Sequence, residues 1–177
     1  MSYGMVPNLV PGDTFLVYTR GLLGPGDPVM CKDPDNPGAM IVSRIIGIPD
    51  DKVTVSNAKV TLNGREVERN SLGPNVVYEE TASGERVPFE VSLAEERMGA
   101  RAYTVAFMER GRDRREFRHD VESGFFLVSD NRNRTRDSRH FGEVPIENCI
   151  GMPFLVVWPG EDSGDFKKKN RILEWID

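Results

Sequence analysis

Three stretches of this chain gather hydroxyl, carboxylate and guanidinium groups at close spacing. Residues 2–13 hold Ser2-Tyr3-Gly4-Met5-Val6-Pro7, then Leu9 and Gly12-Asp13; residues 43–53 open with Ser43-Arg44 and continue through Gly47-Ile48-Pro49-Asp50-Asp51; residues 129–142 run from Ser129-Asp130-Asn131-Arg132 through Thr135-Arg136-Asp137-Ser138-Arg139 to His140-Phe141-Gly142. A serine hydroxyl attacks a carbonyl only when a base takes its proton, and another serine cannot be that base near neutral pH. His119 and His140 are the only histidines, and a hydrogen-bonded ring in a turn is the expected role for His140. The Cys and His spacings fit no zinc pattern, so no metal is expected. Gly21-x-x-Gly24-x-Gly26 lacks the strand-to-helix frame of a dinucleotide loop, and no cofactor is expected either.

In this order the three segments resemble the signal peptidase I family. The first looks like its nucleophile segment, with Gly4 standing where the family carries the attacking serine. The second matches the segment with Lys-Arg, a few apolar residues and Gly-x-Pro-Gly-Asp, with Ser43 at the lysine. The third matches the family's Gly-Asn/Asp-Asn, three further residues, then Ser-x-Asp-Ser-Arg-x-x-Gly, and is followed by Val144-Pro145 and Gly151. It is the most specific of the three, because Asp-Asn-Arg with Asp-Ser-Arg five residues on is improbable by accident.

The resemblance implies a Ser-Lys dyad, in which a neutral lysine amine, its pKa depressed by apolar burial, serves as the base. Both members are missing here, at Gly4 and at Ser43. Other parts match. Ser2 falls where the family has a hydroxyl that helps hold the developing oxyanion, although a polar residue in a mobile N-terminus is the competing reading. Thr135 falls where a serine hydrogen-bonds the lysine, so its hydroxyl is expected to face Ser43. Asp137 and Arg139 match a buried, bracing ion pair, and Asp130, Asn131 and Arg132 are expected to give structural support. Met5, Pro7, Leu9, Ile41 and Val42 match the walls of the groove that takes the small side chains before a cleavage site, though groove walls and ordinary core share a composition. Arg136 replaces a small residue near those pockets, where a long cation would fill a pocket or meet an acidic peptide.

Strands must position these segments. Residues 14–18, 28–31, 40–42 with 45–46, 53–55, 59–62, 125–128 and 154–158 are short, β-branched or aromatic, and bounded by turn formers. Asn63-Gly64 between residues 60–62 and 65–67 predicts a type I′ hairpin. Residues 92–98 could make one short helix. From about residue 66 to 122 the sequence turns polar and charge-dense, with an arginine cluster at 110–118 read as a solvated hairpin. The fold class is therefore mostly β: a signal-peptidase-I-like antiparallel β core formed by residues 1–65 and 123–177, with an inserted, smaller β-rich subdomain at 66–122.

The 177 residues carry a net charge of -5 and are 38% hydrophobic and 29% charged, an ordinary soluble composition with no basic excess for nucleic acid. Cys31 and Cys149, far apart in sequence, are read as two small buried hydrophobes and not as a disulfide. No run reaches the ~18 apolar residues of a spanning helix, so membrane association is expected only through an anchor that this sequence does not contain. The resemblance places the protein on the outer, periplasmic face of the cytoplasmic membrane; were the chain complete as it stands, it would be cytoplasmic. The expected function is a homologue that has lost its chemistry and binds extended segments of secreted or pilin-like polypeptides. One alternative is an active signal peptidase using Ser2 or Ser43 as a non-standard nucleophile. Another is a self-cleaving repressor-like domain, which would be expected to lack the segment from Asp130 to Arg139.

Overall fold

The computed structural model describes residues 3–36, 38–82, 84–108, 115–160, 165–166 and 171–177. Antiparallel strands dominate, in three sheets. The largest runs β1 (Thr14–Tyr18), β14 (Cys149–Trp158), β2 (Pro28–Lys32), β3 (Met40–Gly47), β12 (Gly124–Val128) and β13 (Val144–Pro145), with β15 (Glu174–Trp175) also on β14. A second sheet sets β9 (Glu85–Met98) between β10 (Arg101–Phe107) and β7 (Glu68–Ser71), with β8 (Val76–Ala82) on the far part of β9. The third runs β11 (Glu116–Asp120), β4 (Lys52–Ser56), β5 (Lys59–Leu62) and β6 (Arg65–Glu66). Among the described residues, helix is confined to the short α1 (Ser138–Phe141) and two 3₁₀ turns, Tyr3–Met5 and Ile146–Asn148.

The mostly β class follows from the sequence pattern, and β1 occupies residues 14–18 as its β-branched and aromatic run requires. Asn63 and Gly64 both have positive φ, as a type I′ turn demands, and they join β5 to β6. Two expectations are corrected. Residues 92–98 are not a helix; they are the end of β9, where Ala94, Glu96 and Met98 point inward with the two-residue period of a strand. Glu96 occupies a core-facing position, and its charge broke the apolar alternation that would have announced the strand. Cys31 and Cys149 are not free hydrophobes either: they face each other across β2 and β14 and form a disulfide.

The sheets share cores. Ile46, Phe126 and Val128 of the large sheet pack with Val53, Val55 and Val60 of the third and with Ala94, Tyr103 and Val105 of the second. Strands β7–β10 pair among themselves, whereas β11 returns to β4. Residues 109–114, most of the arginine cluster, lie outside the described residues; from 116 on the segment is β11, alternately exposed and half-buried.

Candidate functional site

Strand β3 carries Ser43 and Arg44 side by side, and alternation sends their side chains to opposite faces. The segment leaving β12 carries Ser129 and Asp130, and β12 pairs with β3 at Val128 opposite Arg44. Two polar centres result, one of hydroxyls and one of charges.

In the first, Ser43 is 2% exposed and its Oγ lies 3.1 Å from Ser129 Oγ. Thr135 Oγ1 donates to the same Ser129 oxygen at 3.0 Å. Thr135 therefore reaches Ser43 only through Ser129, which corrects the expectation of a direct contact. The main-chain N–H of Ser129 donates to Asp137 Oδ2 at 3.0 Å, which fixes the bridging residue. The geometry is a chain of three neutral hydroxyls. Such a chain can relay or share protons but has no member able to hold one as a base.

The second centre is ionic. Arg44, fully buried, donates through Nε and Nη2 to the two oxygens of Asp130, both at 2.7 Å, and through Nη1 to the carbonyl of Gly26 at 2.6 Å. Its guanidinium also lies 3.9 Å from the centre of the Tyr103 ring. Asp130 accepts a further bond from Asn8 Nδ2 at 2.6 Å, and that amide donates to the Thr104 carbonyl at 2.8 Å. Glu96 accepts from both Arg69 and Arg132. Burial alone would raise its pKa, but these two guanidiniums outweigh it and hold the carboxyl below its ordinary value. Asp137 and Arg139 form a two-point pair at 2.7 and 2.8 Å, with Asp137 fully buried and also capping α1 by accepting from the Arg139 N–H. His140 closes that capping box by accepting from the Asp137 N–H, a ring satisfied within a turn.

These charges fasten the turn that holds Gly4. The Gly4 carbonyl accepts from the Asn131 main-chain N–H at 2.8 Å, and Asn131 Nδ2 donates to the Tyr3 carbonyl at 3.2 Å and to the Tyr78 hydroxyl at 2.9 Å. Ser2 lies outside the described residues. Of the expected groove walls, Met5 and Leu9 are buried and share one apolar cluster with Val42, whereas Ile41 turns to the opposite face of β3 and packs near Val29 and Cys31. Pro7 is half-buried beside them. Arg136 is exposed and paired with Asp35 at 2.8 Å. Ser129, Asn8, Tyr103 and Glu96 were not singled out in the sequence, although Ser129 stands beside Asp130 just as Ser43 stands beside Arg44.

One edge belongs to the site as well. β2 pairs with β3 along residues 40–44, but β12 covers its other side only along 44–47. Among the described strands, none pairs with residues 40–43 on that side.

Fold and site together define an antiparallel β scaffold braced by buried ion pairs around a hydroxyl centre that lacks a base. Comparison with known proteins gives the family: the profile described as "Signal peptidase, peptidase S26" matches residues 1–158, and the chain belongs to that family. The chain is 26% identical over 167 residues to signal peptidase I of Rickettsia conorii, covering 86% of this chain and 60% of that protein. To signal peptidase I of Pseudomonas fluorescens it is 29% identical over 191 residues, covering 89% and 63%. It thus spans about 60% of the length of the curated relatives it matches. A signal peptidase I structure from Enterococcus faecalis aligns with a TM-score of 0.43 and 20% identity, covering 75% of this chain and 97% of that one.

No group of three or more His, Cys, Asp or Glu residues able to hold a metal occurs among the described residues. No helix among them is long and apolar enough to cross a membrane.

Proposed function

We propose that this signal-peptidase-I-like protein is a binding member of its family: it holds extended segments of secreted or surface polypeptides and does not cleave them. The observation that carries this reading is the pair of positions 4 and 43. Glycine at 4 has no nucleophile to offer, and the Ser43 hydroxyl is buried against Ser129 in place of a lysine amine. An incoming extended peptide needs no nucleophile, because main-chain pairing along a strand edge supplies affinity. The edge of residues 40–43, beside the Tyr3–Met5 turn, supports that mode. The polypeptides are those that pass the outer face of the cytoplasmic membrane, where this reading also places the protein.

The test uses a fluorogenic signal-peptide substrate. The protein is expected to bind it without cleavage, whereas the double substitution Gly4→Ser with Ser43→Lys should produce measurable hydrolysis. Cleavage by the unsubstituted protein would sink the inactive reading, and absence of any binding would sink the groove.

A further inference from the structure

A cavity of about 360 Å³ opens between the end of β1, the starts of β12 and β14, and the loop at residues 19–23. Part of its wall is core: Leu23, Ile48, Phe125 and Cys149 belong to the apolar cluster built on Val29, Ile45 and Leu127. Its other apolar residues, Tyr18, Leu22, Ile146 and Ile150, are large and exposed. An apolar cluster is thus left open to solvent at this point. None of the lining residues belongs to the peptide edge at 40–43 or to the hydroxyl chain.

Polar side chains line the cavity at one place only, the consecutive residues Tyr18, Thr19 and Arg20. No carboxylate stands among its described lining residues, and Asp50 and Glu147, next in sequence to Pro49 and Ile146, are not part of the wall. Arg20 is exposed and has no ion pair or ring contact with a described residue. The guanidiniums of Arg44, Arg132 and Arg139 are each matched by a carboxylate, whereas that of Arg20 is not.

Two local features fix the shape. Gly21 has a φ of 120°, a positive value that favours glycine, and a Cβ there would lie 3.2 Å from Cε1 of the Tyr18 ring. The loop is thereby folded back against the tyrosine. On another wall the Cys31–Cys149 disulfide fastens the start of β14 to β2. A pocket held open in this way loses little freedom when a ligand enters.

We propose that this cavity binds a single-chain fatty carboxylate, with its hydrocarbon against the apolar wall and its head group at Arg20. Small-ligand sites are commonly pockets of roughly 300–1,000 Å³ with mostly apolar walls and a few placed polar groups. Here the polar side chains stand together and carry one unmatched cation, so a ligand with one anionic end and an unbroken chain complements them. A peptide, with an amide at every residue, would bury polar groups along a wall that has no side chain to receive them.

Calorimetric titration of the full chain with sodium decanoate, kept below its micelle-forming concentration, should give saturable one-to-one binding. Sodium acetate at matched ionic strength should give none. Decyltrimethylammonium, with the same chain and the opposite head group, should bind about fivefold more weakly or worse. Arg20→Glu should abolish or reverse that preference. Ile150→Ser, which removes exposed hydrocarbon from the wall, should weaken both amphiphiles by about fourfold or more. Leu16→Ser, at an exposed position of β1 outside the cavity, should leave both affinities unchanged. Equal binding of the two amphiphiles, a preference that survives Arg20→Glu, or an equal loss in Leu16→Ser and Ile150→Ser would overturn the assignment.

Discussion

Ser43 and Arg44 are neighbours in sequence, as are Ser129 and Asp130, yet each pair splits between two regions of opposite character. The serines join Thr135 in a chain of neutral hydroxyls, and the arginine and aspartate form a fully buried two-point ion pair. The ionic region ties β3, the turn around Gly4 and the β10 strand together; the hydroxyl region ties little beyond itself. The difference teaches that a site's bracing and its reactive chemistry sit on separate faces of the same strands. One can change while the other stays.

The comparison breaks most sharply at Arg44. Arg44→Met leaves the Asp130 carboxylate buried with only the Asn8 amide, and about 3–5 kcal/mol of stability should be lost, as read by urea unfolding. A loss near that of a neutral contact would erase the distinction between the regions.

A smaller effect belongs to Glu143, which accepts from the main-chain N–H groups of Glu122, Ser123 and Gly124 and contacts His119 Nε2 at 2.7 Å. Burial opposes its charge, but these donors outweigh it and hold its carboxyl at about 2. A depressed carboxylate contributes stability that is complete above its unfolded value of 4.5 and is lost as the pH falls toward about 2. Glu143→Gln should therefore lower the melting midpoint at pH 7, and the gap to the unsubstituted protein should narrow between pH 4.5 and 2.5. A gap that stays constant across that range would contradict the charge-based origin.

The smallest change is expected at the hydroxyl chain. Ser43→Ala removes one partner of Ser129, which keeps its bond from Thr135, so about 1 kcal/mol or less should be lost in the same urea measurement. A cost approaching that of Arg44→Met would show the hydroxyls to be structural anchors after all.

Much of this was legible from residue types. The strand at 14–18, the Asn63-Gly64 turn and the run from Asp130 to Arg139 carry local signals that need no tertiary context. What stayed hidden depends on distant partners. Glu96 makes sense in a strand only once Arg69 and Arg132 arrive beside it, and its charge masked the alternation of β9. Ser129 gained its bridging place from the register of β12 on β3, which no spacing within residues 129–142 encodes. The cysteine pairing was missed for the same reason, since sheet order, with β14 beside β2, brings together residues 118 apart.

That last bond has a consequence for covalent topology. Ser43, Arg44, Glu96, Asp130 and Thr135 all fall between Cys31 and Cys149, so the closed loop contains the hydroxyl chain and most of its bracing. A single proteolytic cut anywhere within it would leave two pieces still joined as one molecule until a reductant was added. The Gly4 turn lies outside the loop, joined to it through the main chain that leads to Cys31 and held against it by hydrogen bonds and packing.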